Sequence, residues 1–217
     1  MAYFFTKASN SLRIPFSSNP LLWVLVSSFL VVWMLTLFFT SDLNNWLLEN
    51  LLTVVSLSFL SLTYKNYRFS DKSYLFIWLF LCLHVYGSQH TYAENSLGYW
   101  LQDLFGWERN HYDRIVHFSF GFLLAYPVYE VYTQWKKYPL SLARWMPVQL
   151  TLSVSSLYEL LEWAVADIFF QEQGAAYLGT QGDVWDAQKD VFLALLGASI
   201  SSLAIRYFSV SDRETQA

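Results

Sequence analysis

The stretch from Leu21 to Thr40 contains no charged residue. A helix of about 20 apolar residues spans the hydrocarbon core of a bilayer. Since a chain in lipid must pair its backbone polar groups internally, such a stretch can cross only as a helix. It therefore predicts an all-α membrane protein.

Composition extends this prediction to the whole chain. Of the 217 residues, 55% are hydrophobic and only 14% are charged, which is far more apolar than a soluble domain. Five further apolar stretches follow the first, at residues 46–63, 73–86, 112–133, 145–170 and 187–208. With 21–40 they predict a single integral membrane domain, residues 1–217, of about six transmembrane helices.

Basic residues predict how this bundle is oriented, because Lys and Arg are retained on the cytoplasmic side. Ten of the 13 basic residues fall before the first stretch, between the second and third, between the fourth and fifth, or at the end of the sixth. The other connections are mainly acidic. Both termini are therefore predicted to be cytoplasmic, and no basic patch for nucleic acid is evident.

The fourth stretch begins with HYDRIVHF. On a helix, Asp113 and His117 share a face, with Arg114 beside it. The pair could bind a metal, or a carboxylate could orient a His general base. The structural alternative is a helix N-terminus with Asp113 near the positive end of the dipole and Arg114 reaching the interface.

The fifth stretch ends with YELLEWAVAD. Glu159 and Glu162 lie on one helical face, so the site is expected to hold a proton, a cation or a basic partner. The structural alternative is a pair of interhelical salt bridges to Arg114 and Lys189. Bundle interfaces usually carry small or singly polar residues, so the pair of acids favours a polar site.

Three acids lead into the sixth stretch. Gly179 and Gly182 allow a tight turn, after which a helix would align Asp183, Asp186 and Asp190; Asp183 could instead cap it. Carboxylates suit Mg²⁺ or Ca²⁺, and adding His117 extends the choice to Zn²⁺ or Mn²⁺.

Two further patterns concern packing and anchoring. The small residues Ala194, Gly197, Ala198 and Ser201 predict close approach of the sixth helix to a neighbour. The amphipathic segment LGYWLQDLFGW predicts a helix on the outer membrane surface.

Together, three predicted spans place acids, a histidine and an arginine at one membrane level facing the outer side, and His84 and His90 could join them. Ionisable residues at such depth are a functional-site hypothesis by default.

The strings HYDRIVHF, YELLEW and GTQGDVWDAQKD, followed by LLG, resemble the YjdF-like bacterial inner-membrane proteins, which have no established activity. The resemblance covers most of the chain from the third stretch onward and implies a multi-pass protein of the inner membrane. The motif order is more distantly similar to the VanZ-like membrane proteins. Departures from that pattern include Arg114 where Lys is usual, Glu162 where Gln is common, Asp190 where Asn is common and Leu193 where Gly is expected.

The leading hypothesis is a metal-dependent hydrolase or transferase acting on a lipid-linked or amphiphilic substrate at the outer leaflet. It assigns catalytic roles to Asp113, His117 and Glu159, head-group binding to Arg114, and binding of a divalent cation to Glu162, Asp183, Asp186 and Asp190. No nucleotide or organic cofactor is expected. The alternatives are a transporter or a lipid- or drug-binding protein without catalysis, and charges that only hold the helices together.

Overall fold

The computed structural model describes residues 14–169 and 178–214, without the side chains of 169 and 209–214. Every regular secondary-structure element assigned within these ranges is helical. In chain order they are α1 (Pro20–Phe39), α2 (Leu43–Thr63), α3 (Asp71–Gly87), α4 (Ser96–Phe105), α5 (Tyr112–Glu130), α6 (Leu140–Ala143), α7 (Met146–Phe169) and α8 (Asp186–Glu214). A short 3₁₀ turn precedes α1, and a π-helical turn, Val131–Trp135, continues α5.

Each predicted apolar stretch coincides with one long helix, so the all-helical class is confirmed. Among the residues that the structure describes, three helices are long and apolar enough to cross a membrane, namely α1, α2 and the Asp186–Phe208 part of α8. Of the others, α3 has 17 residues, and α5 and α7 each carry three charged side chains. The count of six spans and the cytoplasmic termini remain predictions. Residues 1–13, 170–177 and 215–217 lie outside the described ranges.

Local sequence signals set where the helices begin and end. The side chain of Asn19 accepts a hydrogen bond from the backbone of Leu22 at the start of α1, at 3.1 Å. Asn95 does the same for α4, which ends at Gly106 with a φ of 64°. Such caps pair the backbone groups that a helix end leaves free. The amphipathic segment predicted to be helical is therefore α4, and it exposes Trp100 and Phe105.

Helix α5 is the centre of the bundle. It packs most extensively against α8, and it also contacts α3 and α7. On the α3 side the shared core includes Phe80, Val85 and Val116. Residues at the start of α5 therefore face three other helices, and this arrangement positions the site described below.

The interface between α5 and α8 depends on glycine. A methyl group added to Gly121 would overlap the carbonyl oxygen of Ala194, and one added to Gly197 would overlap that of Phe118. Ala194 and Ala198 are fully buried. The close approach predicted from small residues in the sixth stretch is confirmed, and Gly121 is its counterpart on α5.

A buried carboxylate ties the far end of α5 to the start of α3. Glu130 is 1% exposed and accepts hydrogen bonds from the backbone and hydroxyl of Ser70, at 2.8 and 2.6 Å. The hydroxyls of Ser73 and Tyr67 also donate to it. Asp113 and Glu130 are 17 residues apart, or about 25 Å along a helix. The two carboxylates therefore lie near opposite ends of α5.

Candidate functional site

The fold brings together three side chains from the first turns of α5 and α8, which we call the ligand triad: Asp113, His117 and Asp190. Each offers one ligand atom, and these atoms all lie within 4.8 Å of one another. His117 Nε2 is 3.5 Å from Asp113 Oδ1, the i,i+4 pair predicted from the sequence. The spacing allows the three side chains to converge on one ion with small adjustments.

Helix α7 adds a fourth group. Glu159 Oε1 lies 3.4 Å from His117 Nε2, so the same imidazole nitrogen is approached by Asp113 of α5 and by Glu159 of α7. Glu159 Oε1 and Asp190 Oδ1 are both buried and have no hydrogen-bond partner among the described residues. Buried polar atoms normally have a partner, and an exception calls for a physical explanation. An ion shared by these side chains is one such explanation.

Beside the triad lies a charged group that we call the arginine cluster: Arg109, Arg114, Asp183, Asp186 and Lys189. Arg109 donates to both oxygens of Asp186, at 2.7 and 3.2 Å. Arg114 donates to Asp183 at 2.6 Å and to Asp186 at 2.9 Å. Lys189 donates to Asp183 at 2.5 Å. The cluster holds the beginning of α8 against the beginning of α5.

The start of α8 differs from the prediction. The helix begins at Asp186, so only Asp186 and Asp190 share a helical face. Asp183 lies in the preceding turn and does not cap the helix; its carboxylate accepts from the backbone of Trp185, at 3.1 Å. Positive φ angles of 61° at Gly179 and 85° at Gly182 form the turn predicted there. This turn directs Asp183 toward Arg114 rather than into line with the other acids.

Asp183 of the cluster and the neighbouring His111 lie outside the helical spans and have shifted pKa values. Hydrogen bonds from Lys189 and from the backbone of Trp185 hold the pKa of Asp183 well below its usual range. Burial lowers the pKa of His111, and the charges of Arg114 and Arg109 lower it further. A neutral His111 can accept a hydrogen bond at Nδ1, and Arg114 Nη1 lies 3.3 Å from that atom. Both shifts favour the charge pattern of the cluster at neutral pH.

The predicted site residues therefore divide into two neighbouring groups. Asp113, His117, Glu159 and Asp190 lie together, whereas Arg114, Asp183 and Asp186 pair with one another. The structural alternative placed salt bridges between the fifth-span glutamates and Arg114 or Lys189. The described salt bridges of both cations instead go to acids before or at the start of α8, and both cations pair with Asp183. Which side chains bind a metal remains a prediction.

Below the triad is a cavity of about 200 Å³, which we call the buried cavity. It is bounded by α2, α3, α5 and α7 and by Tyr92. Glu162, the other predicted fifth-span acid, lines it. His84 also lines it, and its Nδ1 lies 2.5 Å from the Tyr92 hydroxyl. His90 instead contacts Ser41 and Gln89. Of the two histidines considered from the sequence, His84 is the one at this cavity.

Neither Arg109 nor Glu49 was among the site residues predicted from the sequence. Arg109 is one of the three basic residues, with Arg114 and Lys189, that lie outside the ten used to predict the orientation. Glu49 is 5% exposed on α2 and accepts a hydrogen bond from Tyr158 of α7, at 3.2 Å. Glu49 could have been included from the sequence, because a carboxylate inside an apolar stretch indicates a functional site. Nothing local indicated its partner, which lies 109 residues away.

Comparisons with known proteins agree with the membrane assignment. Residues 21–210 match the family described as "Predicted membrane protein (DUF2238)". The chain is 33% identical over 173 residues to Inner membrane protein YjdF of Escherichia coli (strain K12), covering 77% of this chain and 80% of that protein. No solved structure matches the chain. The resemblance to YjdF-like proteins is confirmed, and the one to VanZ-like proteins remains a prediction.

Proposed function

The chain belongs to the DUF2238 family of predicted membrane proteins, and on that premise we propose that it is a metal-dependent hydrolase or transferase of the bacterial inner membrane. Its substrate is lipid-linked or otherwise amphiphilic and reaches the site from the outer leaflet. The observation that carries this proposal is the ligand triad, whose three ligand atoms lie within 4.8 Å of one another at the start of α5 and α8.

The donor set favours particular ions. Two carboxylates and an imidazole suit Mn²⁺ or Zn²⁺ better than Mg²⁺ or Ca²⁺, which prefer oxygen ligands alone. A bound cation of this kind supplies Lewis acidity and lowers the pKa of a water ligand. Glu159, next to His117, would be the side chain that holds a proton beside the ion.

The arginine cluster has a supporting part in this proposal. Arg109 and Arg114 fix Asp186, the first residue of α8, and thereby hold Asp190 one turn further along the helix beside His117. Arg114 was expected to bind an anionic head group. For it to do so, an anion must replace Asp183 or Asp186 as its partner. Positioning of α8 is the role that its contacts support more directly.

Proton-linked transport is the competing hypothesis, and it requires polar groups leading toward the other end of the bundle. On α5, the residues that line the buried cavity below His117 are Phe120 and Leu124, both apolar. Glu130, near the opposite end of the helix, is hydrogen-bonded by Ser70, which precedes α3. These contacts favour a site that works from one side of the membrane.

Elemental analysis of the detergent-purified protein tests the proposal. After incubation with Mn²⁺ or Zn²⁺ and removal of free ion, we expect about one ion per chain in the unaltered protein. His117→Gln and Asp190→Asn should lose the ion while retaining helical circular dichroism. Asp167→Asn, which alters an exposed acid on α7, is the matched control. Failure of the unaltered protein to hold either ion would overturn the proposal.

If Asp183→Asn loses the ion and Asp190→Asn retains it, the metal lies in the arginine cluster instead of the triad. That result would keep a metal site but move it to the acids on the outer side of α8.

A further inference from the structure

The buried cavity is polar at one end and apolar at the other. Its polar end carries acidic, imidazole and phenolic side chains at the level of the ligand triad: His84, Tyr92, Asp113, His117, Tyr158 and Glu162. One or two helical turns deeper, the lining is mainly apolar, with Leu52, Phe80, Phe120, Leu124 and Val154 beside two serines, Ser56 and Ser155. This gradient matches an amphiphile whose head lies beside the triad and whose chain points into the bundle.

The size of the cavity limits what it can hold. At about 200 Å³ it is smaller than the roughly 300–1,000 Å³ of clefts that enclose whole small molecules. A dry apolar cavity of about 150 Å³ is large enough for a benzene ring. The buried cavity therefore suits the ester or phosphoester linkage of a head and the first carbons of its chain, with the remainder of the chain outside it.

Two buried polar atoms in the lining have no hydrogen-bond partner among the described residues. They are Nε2 of His84 and Oγ of Ser155, and each residue is 2% exposed. Burying such atoms without a partner is unfavourable. An ester or phosphoester oxygen at the head of an amphiphile would lie beside His84 at the polar end, whereas Ser155 lies next to Val154 at the deeper end.

Helices α2 and α7 provide a path from the bilayer. Helix α2 packs mainly on α3, and α7 packs on α8 and α5, so the cavity lies where these two helices face each other without an extensive interface. They are bridged near the polar end by the hydrogen bond from Tyr158 to Glu49. Both helices expose leucines outward, including Leu51 and Leu161, as surfaces in contact with lipid do.

We propose that the buried cavity binds the hydrocarbon chain of a single membrane amphiphile, which enters sideways between α2 and α7 and places its ester or phosphoester head beside His84 and the ligand triad. The assignment deepens the proposed function, since it makes the chain-binding part of the substrate site explicit. It also defines the substrate class as one whose chain enters the protein next to the head rather than remaining wholly in the bilayer.

Photolabelling tests this assignment. The protein is reconstituted into phosphatidylcholine vesicles that contain a lysophospholipid with a diazirine in the first carbons of its acyl chain, next to the ester. The vesicles are then irradiated and the protein is analysed by peptide mass spectrometry. We expect adducts on the deep lining, at Phe120, Leu124 or Val154, in addition to the bilayer-facing surface. Adducts found only on bilayer-facing residues would overturn the assignment.

Two filling variants, Ser155→Phe on α7 and Leu52→Phe on α2, should lose the deep adducts and keep the surface ones. Val31→Phe, on the exposed face of α1, is the matched control and should change neither. Because the variants lie on different helices, failure of one to fold leaves the other informative. Deep adducts that persist in a folded filling variant would also overturn the assignment.

Metal content of the same preparations separates this assignment from the proposed function. Deep labelling without bound metal would retain the chain site and remove the metal-dependent mechanism. Bound metal without deep labelling would retain the metal site and remove the chain site.

Discussion

Arg109 donates hydrogen bonds to both carboxylate oxygens of Asp186, so a loop residue outside the helices fixes the first residue of α8. Both side chains are largely buried, with exposed fractions of 12% and 5%. We expect Arg109→Ala to lower the free energy of unfolding by about 1–3 kcal/mol. The reason is that Asp186 keeps its hydrogen bond from Arg114 but loses the two from Arg109. Thermal unfolding in detergent measures the change.

The matched control for that prediction is Arg206→Ala, which removes an exposed arginine further along α8. Arg109→Lys should recover only part of the loss, since an ammonium group cannot match the planar two-point contact of a guanidinium. Equal unfolding temperatures for Arg109→Ala and Arg206→Ala would show that the pair does not hold α8.

The contact between α5 and α8 gives a second prediction. Gly121→Ala should destabilise the protein by about 1–3 kcal/mol, because the added methyl overlaps the carbonyl oxygen of Ala194 and forces the helices apart. Intrinsic helix propensity predicts the opposite sign, since Ala is favoured over Gly by about 1 kcal/mol. A lower unfolding temperature would therefore identify the interface as the cause.

Ser153→Ala, at an exposed position on α7, controls for a small change on another helix. A Gly121→Ala protein at least as stable as the unaltered one would mean that α5 and α8 do not pack this closely.

Acidic pH provides a third prediction, centred on Asp183. Its pKa is lowered in the folded protein, chiefly by the hydrogen bond from Lys189, so its ion pairs stabilise the fold above the unfolded-state pKa of about 3.9. This stabilisation is lost as the pH falls through the folded-state pKa. Asp183→Asn should unfold at a lower temperature than the unaltered protein at pH 7, and the difference should shrink as the pH falls below about 4.

Thermal unfolding in detergent at a series of pH values measures this difference. Glu108→Gln, which changes an exposed acid in the loop before α5, should show no such convergence. A gap between Asp183→Asn and the unaltered protein that stays constant with pH would contradict the assigned role of Asp183.

Much of this architecture could be predicted because hydrophobic stretches are local. The six apolar stretches identified the long helices, since a helix in lipid is specified by its own residues. The i,i+4 spacing of Asp113 and His117 likewise placed them together without knowledge of the neighbours. The small residues of α8 predicted a close contact, although not that Gly121 would be the opposite surface.

What the sequence could not supply depends on pairing between distant segments. Arg114 was predicted to bind an anionic head group because the sequence did not reveal its acidic partners. These partners, Asp183 and Asp186, lie about 70 positions later, and a turn brings them to Arg114. The same turn removed Asp183 from the helix expected to contain it. The buried cavity arises where four helices meet, so no single stretch of sequence encodes it.

Glu130 gives the last prediction, at the end of α5 far from the ligand triad. Its carboxylate accepts from the backbone and hydroxyl of Ser70 and from Ser73 and Tyr67. Hydrogen bonds to a charged group contribute about 1.5–3 kcal/mol each, although not additively. We expect Glu130→Ala to cost more than about 3 kcal/mol of unfolding free energy, because several buried donors lose their common acceptor. Glu130→Gln should cost less, since it retains one acceptor oxygen.

Metal content makes the test of Glu130 specific. If this carboxylate joins α3 to α5 and has no part in the site, folded Glu130→Gln should hold Mn²⁺ or Zn²⁺ as the unaltered protein does, while unfolding at a lower temperature. Loss of the ion from a folded Glu130→Gln protein would mean that the two ends of α5 are coupled. A chain of polar groups through the bundle would then be needed, and transport would become the better hypothesis.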